Sequence, residues 1–141
     1  MTAIAHQMPA CAGVQISTAS LWAGRIISGL VVAFLAFDGA IKLIPLDIVT
    51  ETSVQLGIPT HLARTLGILT LAGTLLYAVP HTSVLGAILL TGYLGGAIYV
   101  HISAGSPLFT HTLFGVYLGV LVWGGLWLRD RRLRALIPLL G

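Results

Sequence analysis

The sequence has 141 residues, 57% hydrophobic and 8% charged, with a formal net charge of +3 and a mean hydropathy of +0.99. Soluble domains carry roughly a quarter charged side chains, so this composition excludes an ordinary water-soluble fold and points to an integral membrane protein. The positive balance sits mostly in one run, "RDRRLR", which fits a topology anchor drawn to anionic membrane lipid; nothing in it suggests a nucleic-acid partner.

In chain order, residues 1–18, "MTAIAHQMPACAGVQIST", are small and mixed, and are expected to lie loosely at the inner membrane surface with His6, Pro9 and Cys11. Cys11 is the single cysteine, which excludes an intramolecular disulfide and any CxxC dithiol chemistry. The first apolar run covers 21–44. It carries Asp38 and Lys42, and no basic region precedes Arg25, so it reads as a retained span and not as a cleaved signal. The connection "PLDIVTETSVQLGIPT", residues 45–60, repeats apolar Leu46, Val49 and Leu56 at near-helical spacing, with Glu51 and Gln55 on its polar side and Gly57 and Pro59 as a stop. It predicts a short amphipathic helix over the outer mouth, either a lid or a spacer. Thr60 is placed to cap the helix that follows.

Three further runs cover 62–79, 83–100 and 108–128. A helix needs about 20 apolar residues to cross about 30 Å of hydrocarbon, and helices satisfy their own backbone groups where lipid cannot. The runs are too long for barrel strands and lack two-residue alternation. The fold class is therefore all-α: an integral membrane four-helix bundle, one domain over 19–129, with a short amphipathic helix between the first and second spans and a basic cytoplasmic tail over 130–141.

Five of the seven Lys and Arg residues (Arg25, Arg129, Arg131, Arg132 and Arg134) fall on the side shared by both termini, which places both termini in the cytoplasm. Trp22, Tyr77 and Trp127 fall at the same inner boundary, where aromatic belts form. The outer end gathers Asp38, Lys42, His61, Arg64, His101 and His111, while the membrane middle holds almost nothing ionisable. At 1.5 Å per residue, Asp38 lies about 25 Å along the first span, a little short of the outer boundary.

Asp38 and Lys42 are four apart with the acid first, the favourable helical order, and Arg64 is the natural third member of an inward-facing group. Two readings are open: a network that pins helix ends at the interface, with Lys42 and Arg64 snorkelling, or a polar pocket opening outward. "HISAGSPLFTH" turns at Gly105 and Pro107 and sets His101 and His111 on adjacent antiparallel helices. Imidazoles there serve as a metal or haem site, for which His101 and His111 are the candidates, as hydrogen-bonding or proton-transfer groups for a quinone, or as interfacial caps. His6 and His81 lie on the inner side.

Gly92 with Gly96, Gly115 with Gly119, and Ala36 with Ala40 are small pairs that let helices approach closely, within the bundle or in a homo-oligomer. Thr70, Thr74 and Thr91 are positioned to bond back to their own helices. Tyr93 and Tyr117 need hydroxyl partners and are candidates to line a cavity. Four spans with no inverted repeat and no mid-membrane charge argue against a transporter.

The segments "LLYAVPHTSVLGAILLTGYLGGAIYVHI" and "GSPLFTHTLFGVYLGVLVWGGLWLRDRRLRALIPL" resemble the DoxX-like family of small bacterial four-helix membrane proteins, over most of residues 20–138 and most densely over 75–138. "LTGYLGGA", "LFTHTLF" and "LRDRRLRALIPL" are the specific parts, and "GRIISGLVVAFLAFDGAIKLI" is similar to the family's first helix, with Gly39 and Lys42 in its pattern. The resemblance implies the four-helix bundle, a multi-pass place in the bacterial inner membrane and an association with thiosulfate:quinone oxidation or oxidative-stress complexes. It implies His101 and His111 as the family's histidines. Relatives often place an acid in the second helix where this chain has Thr70, and an Arg after the third where it has Ser103. Three functions follow as expectations. The first is a redox-associated subunit with a quinone or other lipid-soluble ligand in an outer pocket of His101, His111, His61, Asp38, Lys42, Arg64 and Tyr93. The second is an assembly module that binds redox-complex membrane partners through glycine-rich faces. The third is a small histidine-based metal or haem protein.

Overall fold

The computed structural model describes residues 16–44 and 46–137. His6, Pro9 and Cys11 lie outside the described residues, as do most of the segment expected to be loose and the last four residues of the tail. The chain runs α1 (Thr18–Leu43), α2 (Asp47–Gln55), α3 (Leu62–Ala78), α4 (Ser83–Ser103), a π-helical turn (Leu108–Thr112), α5 (Phe114–Arg129) and α6 (Arg131–Leu136), with no strand among the described residues.

The boundaries differ from the sequence expectation in informative ways. The third run continues to Ser103, so His101 sits inside the last turn of α4. The fourth begins with a widened turn, and its α-helix starts only at Phe114. Three helices are long and apolar enough to cross a membrane: Thr18–Leu43, Ser83–Ser103 and Leu108–Arg129 taken with its π turn. At 17 residues, α3 is shorter, and at 1.5 Å per residue it reaches about 25 Å.

Local chemistry sets the ends. Ser17 caps α1 by accepting from Ser20 N at 3.2 Å. Thr60 does not cap α3. The backbone of His61 is already helical (φ −67°, ψ −21°), so Thr60 sits in a turn where Leu62 N donates to Pro59 O at 2.9 Å. Two glycines end helices in the left-handed region, Gly57 (φ 68°) after α2 and Gly105 (φ 66°) after α4. Each is followed by a bond reaching five residues back, Ile58 N to Ser53 O at 2.8 Å and Ser106 N to His101 O at 3.0 Å, which satisfies carbonyls the helix end leaves open.

α1 packs against α3 and α5, and α4 packs against the same two. Spatial neighbours run antiparallel. One end holds Arg25, Tyr77 and Arg129 (the basic end), and the other holds Asp38, Tyr93, His101 and His111 (the histidine end). Glycines permit the crossings, but not the pairs the sequence suggested. A Cβ on Gly39 would meet Leu71 and Gly67 O, one on Gly24 would meet Gly125 O and Leu128, and one on Gly86 would meet the Tyr77 backbone. A Cβ on Gly92, Gly96 or Gly119 would meet nothing within 4 Å. Of the glycines in those pairs only Gly115 is packed among the described residues, against Ile98 and Leu94 O; Gly92 and Gly96 lie on an exposed face because α4 turns Leu90 and Leu94 inward.

The surface is inverted relative to a soluble protein. Ile26, Leu30, Phe37, Leu69, Leu75, Ile88 and Val120 are exposed, while Ser28, Thr70, Thr74 and Tyr77 are buried. Contiguous apolar skin of this kind marks a membrane-facing or partner-facing surface. The buried hydroxyls are satisfied: Thr70 Oγ1 donates to Leu66 O at 2.8 Å and Thr74 Oγ1 to Thr70 O at 2.7 Å. Tyr77 is fully buried and does not join a boundary belt. Its hydroxyl donates to Val122 O at 2.8 Å and accepts from Ser28 Oγ at 3.0 Å, tying α1, α3 and α5 together. Burial of this phenol is possible because Gly86 leaves the Tyr77 backbone uncrowded.

Candidate functional site

At the histidine end, α1, α4, the π turn and α5 line a partly open cavity of about 140 Å³. Asp38, Lys42, Tyr93, His101 and His111 all line it, with Phe34, Leu94, Phe114 and Leu118 among its apolar walls. The helical period explains the convergence on α1, since Phe34, Leu35, Asp38 and Lys42 recur at steps of three and four on one face. On α4, Tyr93, Leu94, Ala97, Ile98 and His101 do the same.

The polar groups form two clusters. Lys42 is ion-paired with Asp38 one turn away, the only such pair among the described residues, and its Nζ also donates to Tyr93 Oη at 3.2 Å across to α4. Tyr93 thus takes the place the sequence offered to Arg64. In the second cluster the rings of His101 and His111 stand with centroids 5.8 Å apart, tilted by 53°. His101 Nδ1 shares a hydrogen bond of 3.1 Å with Ser106 Oγ, and His111 Nδ1 one of 2.7 Å with Thr110 Oγ1. Each Nδ1 is therefore engaged locally.

The π turn brings His111 to this position. Thr112 N donates to Pro107 O at 3.3 Å and Leu113 N to Leu108 O at 2.8 Å, both reaching five residues back. Such widened turns are rare and recur at functional sites. The cavity's side between α1 and α5 is closed by Phe34 and Phe114, edge to face with centroids 5.4 Å apart, each 42% exposed on the apolar skin.

His61 and Arg64 are not brought to this cavity. They line a separate open groove of about 450 Å³ with Val49, Thr50 and Thr60, and Lys42 borders both spaces. α2 borders that groove and contributes nothing to the histidine cavity, so it is no lid over the latter. Val49, Ser53 and Leu56 form its more buried side and Glu51 and Gln55 are exposed, as the spacing implied, but Leu46, Ile48 and Val54 are exposed as well. Tyr117 is exposed on the outer surface and lines none of these spaces. As for a metal, the two imidazoles come together, but among the described residues no three His, Cys, Asp or Glu side chains are grouped to hold an ion.

Sequence reasoning missed Phe34 and Phe114, the Ser106 and Thr110 partners, and the π turn. Ser106 was within reach of inspection, since a Gly105 stop turns the next hydroxyl back over His101. The π turn had no comparable signal.

A family model for DoxX-like proteins matches residues 26–125. The chain belongs to the DoxX-like family. The match takes in every residue of the histidine cavity and ends before "LRDRRLRALIPL", so that stretch, unlike "LTGYLGGA" and "LFTHTLF", lies outside the family's matched part. Neither the curated proteins nor the solved structures give a match. The family identification supports a membrane protein. Of the two positions where the sequence resemblance implied a departure from the family, Thr70 is fully buried and bonded to Leu66 O, and Ser103 Oγ donates to Tyr99 O at 3.0 Å.

Proposed function

We propose that this DoxX-like protein is a four-helix transmembrane bundle of the bacterial inner membrane, a redox-associated subunit that holds a lipid-soluble, quinone-type headgroup in the histidine-end cavity. The observation that carries the reading is the convergence of Tyr93, Lys42, Asp38, His101 and His111 on one apolar-walled space. Cavities of about 150 Å³ accept a benzene-sized ring, so about 140 Å³ suits a single ring. A quinone ring is apolar on its faces and accepts hydrogen bonds at its two oxygens. The Lys42–Tyr93 cluster and the histidine pair offer donors at distinct parts of the wall. For an isoprenoid tail to leave on that side, the Phe34–Phe114 pair, which faces the apolar skin, would have to part.

Binding comes from desolvated hydrogen bonds and ring burial, and an imidazole can both donate and accept a proton, so the pair is suited to proton exchange with the headgroup. A metal or haem reading has less support, because the two rings have no third ligand grouped with them among the described residues. The basic end faces the cytoplasm in this reading, with both termini on that side. A cysteine at exposed position 103 should then react with an impermeant thiol reagent added outside spheroplasts, and one at exposed position 81 should not.

The test is native mass spectrometry of the protein released gently from its membrane, followed by titration with a short-chain benzoquinone. The combined substitutions His101→Ala and His111→Ala, and separately Tyr93→Phe, are expected to weaken binding by about tenfold each. Unchanged binding in both would sink the assignment. A second reading, assembly with redox-complex partners or with another copy, draws on the open faces of Gly92, Gly95 and Gly96, which pack against nothing within the chain. Recovery of the protein from native membranes without stoichiometric companions would count against it.

A further inference from the structure

The basic end carries a second space that the histidine-end reading does not use. Arg25, Ser28, Gly29 and Val32, at steps of three and four along one face of α1, form a groove of about 240 Å³ with Ala78 at the end of α3 and Arg129 at the end of α5. We propose that this groove binds the phosphate of an anionic membrane lipid between Arg25 and Arg129, with the lipid's glycerol and first acyl carbons lying over Gly29 and Val32.

The charge balance points to an anion. Among the described residues no carboxylate lines the groove. The nearest acid in sequence, Asp130, is committed elsewhere, since its Oδ1 accepts from Arg132 N at 2.8 Å and Leu133 N at 3.4 Å to cap α6. Arg129 is anchored, with Nη2 donating to Tyr77 O at 3.2 Å and the guanidinium 5.2 Å from the Tyr77 ring centre. That single bond leaves most of its donors free among the described residues, and its Nε is closed to solvent with no partner there. Arg25 makes no hydrogen bond or ion pair among the described residues and lies 5.7 Å from the Trp22 ring centre. Two guanidiniums with spare donors, one held rigid and one free to close, match a phosphate's several acceptor oxygens.

The rest of the groove favours a lipid over a free ion. Ser28 spends its proton on Tyr77, so beyond the arginines the floor offers no donor. It is made of Gly29, Val32 and Ala78, and a Cβ on Gly29 would meet nothing within 4 Å. An open strip running from two arginines along an apolar helix face suits a headgroup joined to an acyl chain. The site is independent of whatever occupies the histidine cavity.

The test is native mass spectrometry of delipidated protein titrated with phosphatidylglycerol and with phosphatidylcholine. The wild-type protein should retain phosphatidylglycerol preferentially, and Arg25→Gln and Arg129→Gln should each lower that preference about fivefold. Gly29→Leu, which fills the strip without touching a charge or the packed interior, should do the same, and it covers the case in which Arg129→Gln loosens the fold. Arg131→Gln and Arg132→Gln, at exposed positions on α6, remove only the general attraction of that run for anionic lipid and should lower the preference clearly less than the groove variants do. Equal retention of the two lipids by the wild type, or an equal loss in the α6 variants, would overturn the proposal. So would displacement of phosphatidylglycerol by millimolar inorganic phosphate, which would assign the groove to a free oxyanion.

Discussion

The two ends of the helical assembly are built on opposite plans. At the basic end, polar groups bridge helices that are far apart in sequence: Tyr77 joins Ser28 and Val122, Arg129 reaches Tyr77 O and Arg134 contacts Ser20, while Arg134 also ties α6 back to the end of α5 by donating from Nε to Trp127 O at 2.9 Å and from Nη2 to Leu128 O at 3.1 Å. At the histidine end nearly every polar bond is local. Asp38 pairs with Lys42, His101 with Ser106 and His111 with Thr110, and only Lys42 to Tyr93 crosses between helices. The first arrangement locks helices to one another. The second makes few such ties around its cavity. The inter-helix polar bonds are thus concentrated at the basic end.

Substitutions that separate the ends test this division. The largest effect is expected at Gly86→Ala, where the new methyl meets the Tyr77 backbone in the locked half; thermal unfolding in detergent should show a loss of at least about 2 kcal/mol. Gly92→Ala, on the open face of the same helix, should stay within about 0.5 kcal/mol of wild type. Equal losses would mean that α4 packs by its other face. Next comes Tyr77→Phe, which leaves Val122 O and Ser28 without the phenol and should lose about 1–2 kcal/mol. Tyr93→Phe should change stability by under about 1 kcal/mol, since Lys42 keeps Asp38, while weakening ligand binding as described above. If Tyr93→Phe proves the more destabilising of the two, the histidine end is the structural clamp and the division is reversed. The smallest effect is expected at Thr91→Val, which removes the acceptor of the 2.9 Å bond from Trp123 Nε1. About 0.5 kcal/mol and a shift in tryptophan emission should follow, with quinone titration unaltered.

Particular residues show how far the sequence could be read. The apolar runs, the Gly105 turn and the acid-first Asp38–Lys42 spacing are local or compositional facts, and the helices and that pair follow from them. His101 and His111 were recognisable as neighbours because one short turn joins their helices. Tyr93 was marked as a pocket candidate whose hydroxyl needed a partner, but that the partner is Lys42 was not legible. His61 and Arg64 share the depth of Lys42 but not its face, and depth along a helix says nothing about the direction a side chain takes. The small-residue pairs misled for the same reason, since a four-residue spacing aligns Gly92 with Gly96 on a face without saying which way that face turns.

The sequence by itself determined the helices, their order and the gathering of most arginines at one end and of His61, His101 and His111 at the other, because backbone hydrogen bonding and apolar run length are properties of short stretches of chain. Only the tertiary structure decided which faces meet. It buried Tyr77 that the sequence had placed at a boundary, exposed Gly92, divided the outer polar residues between two spaces, and wound residues 108–112 into the turn that presents His111. Each of these depends on the rotation of one helix against another, which close packing fixes and no single helix encodes.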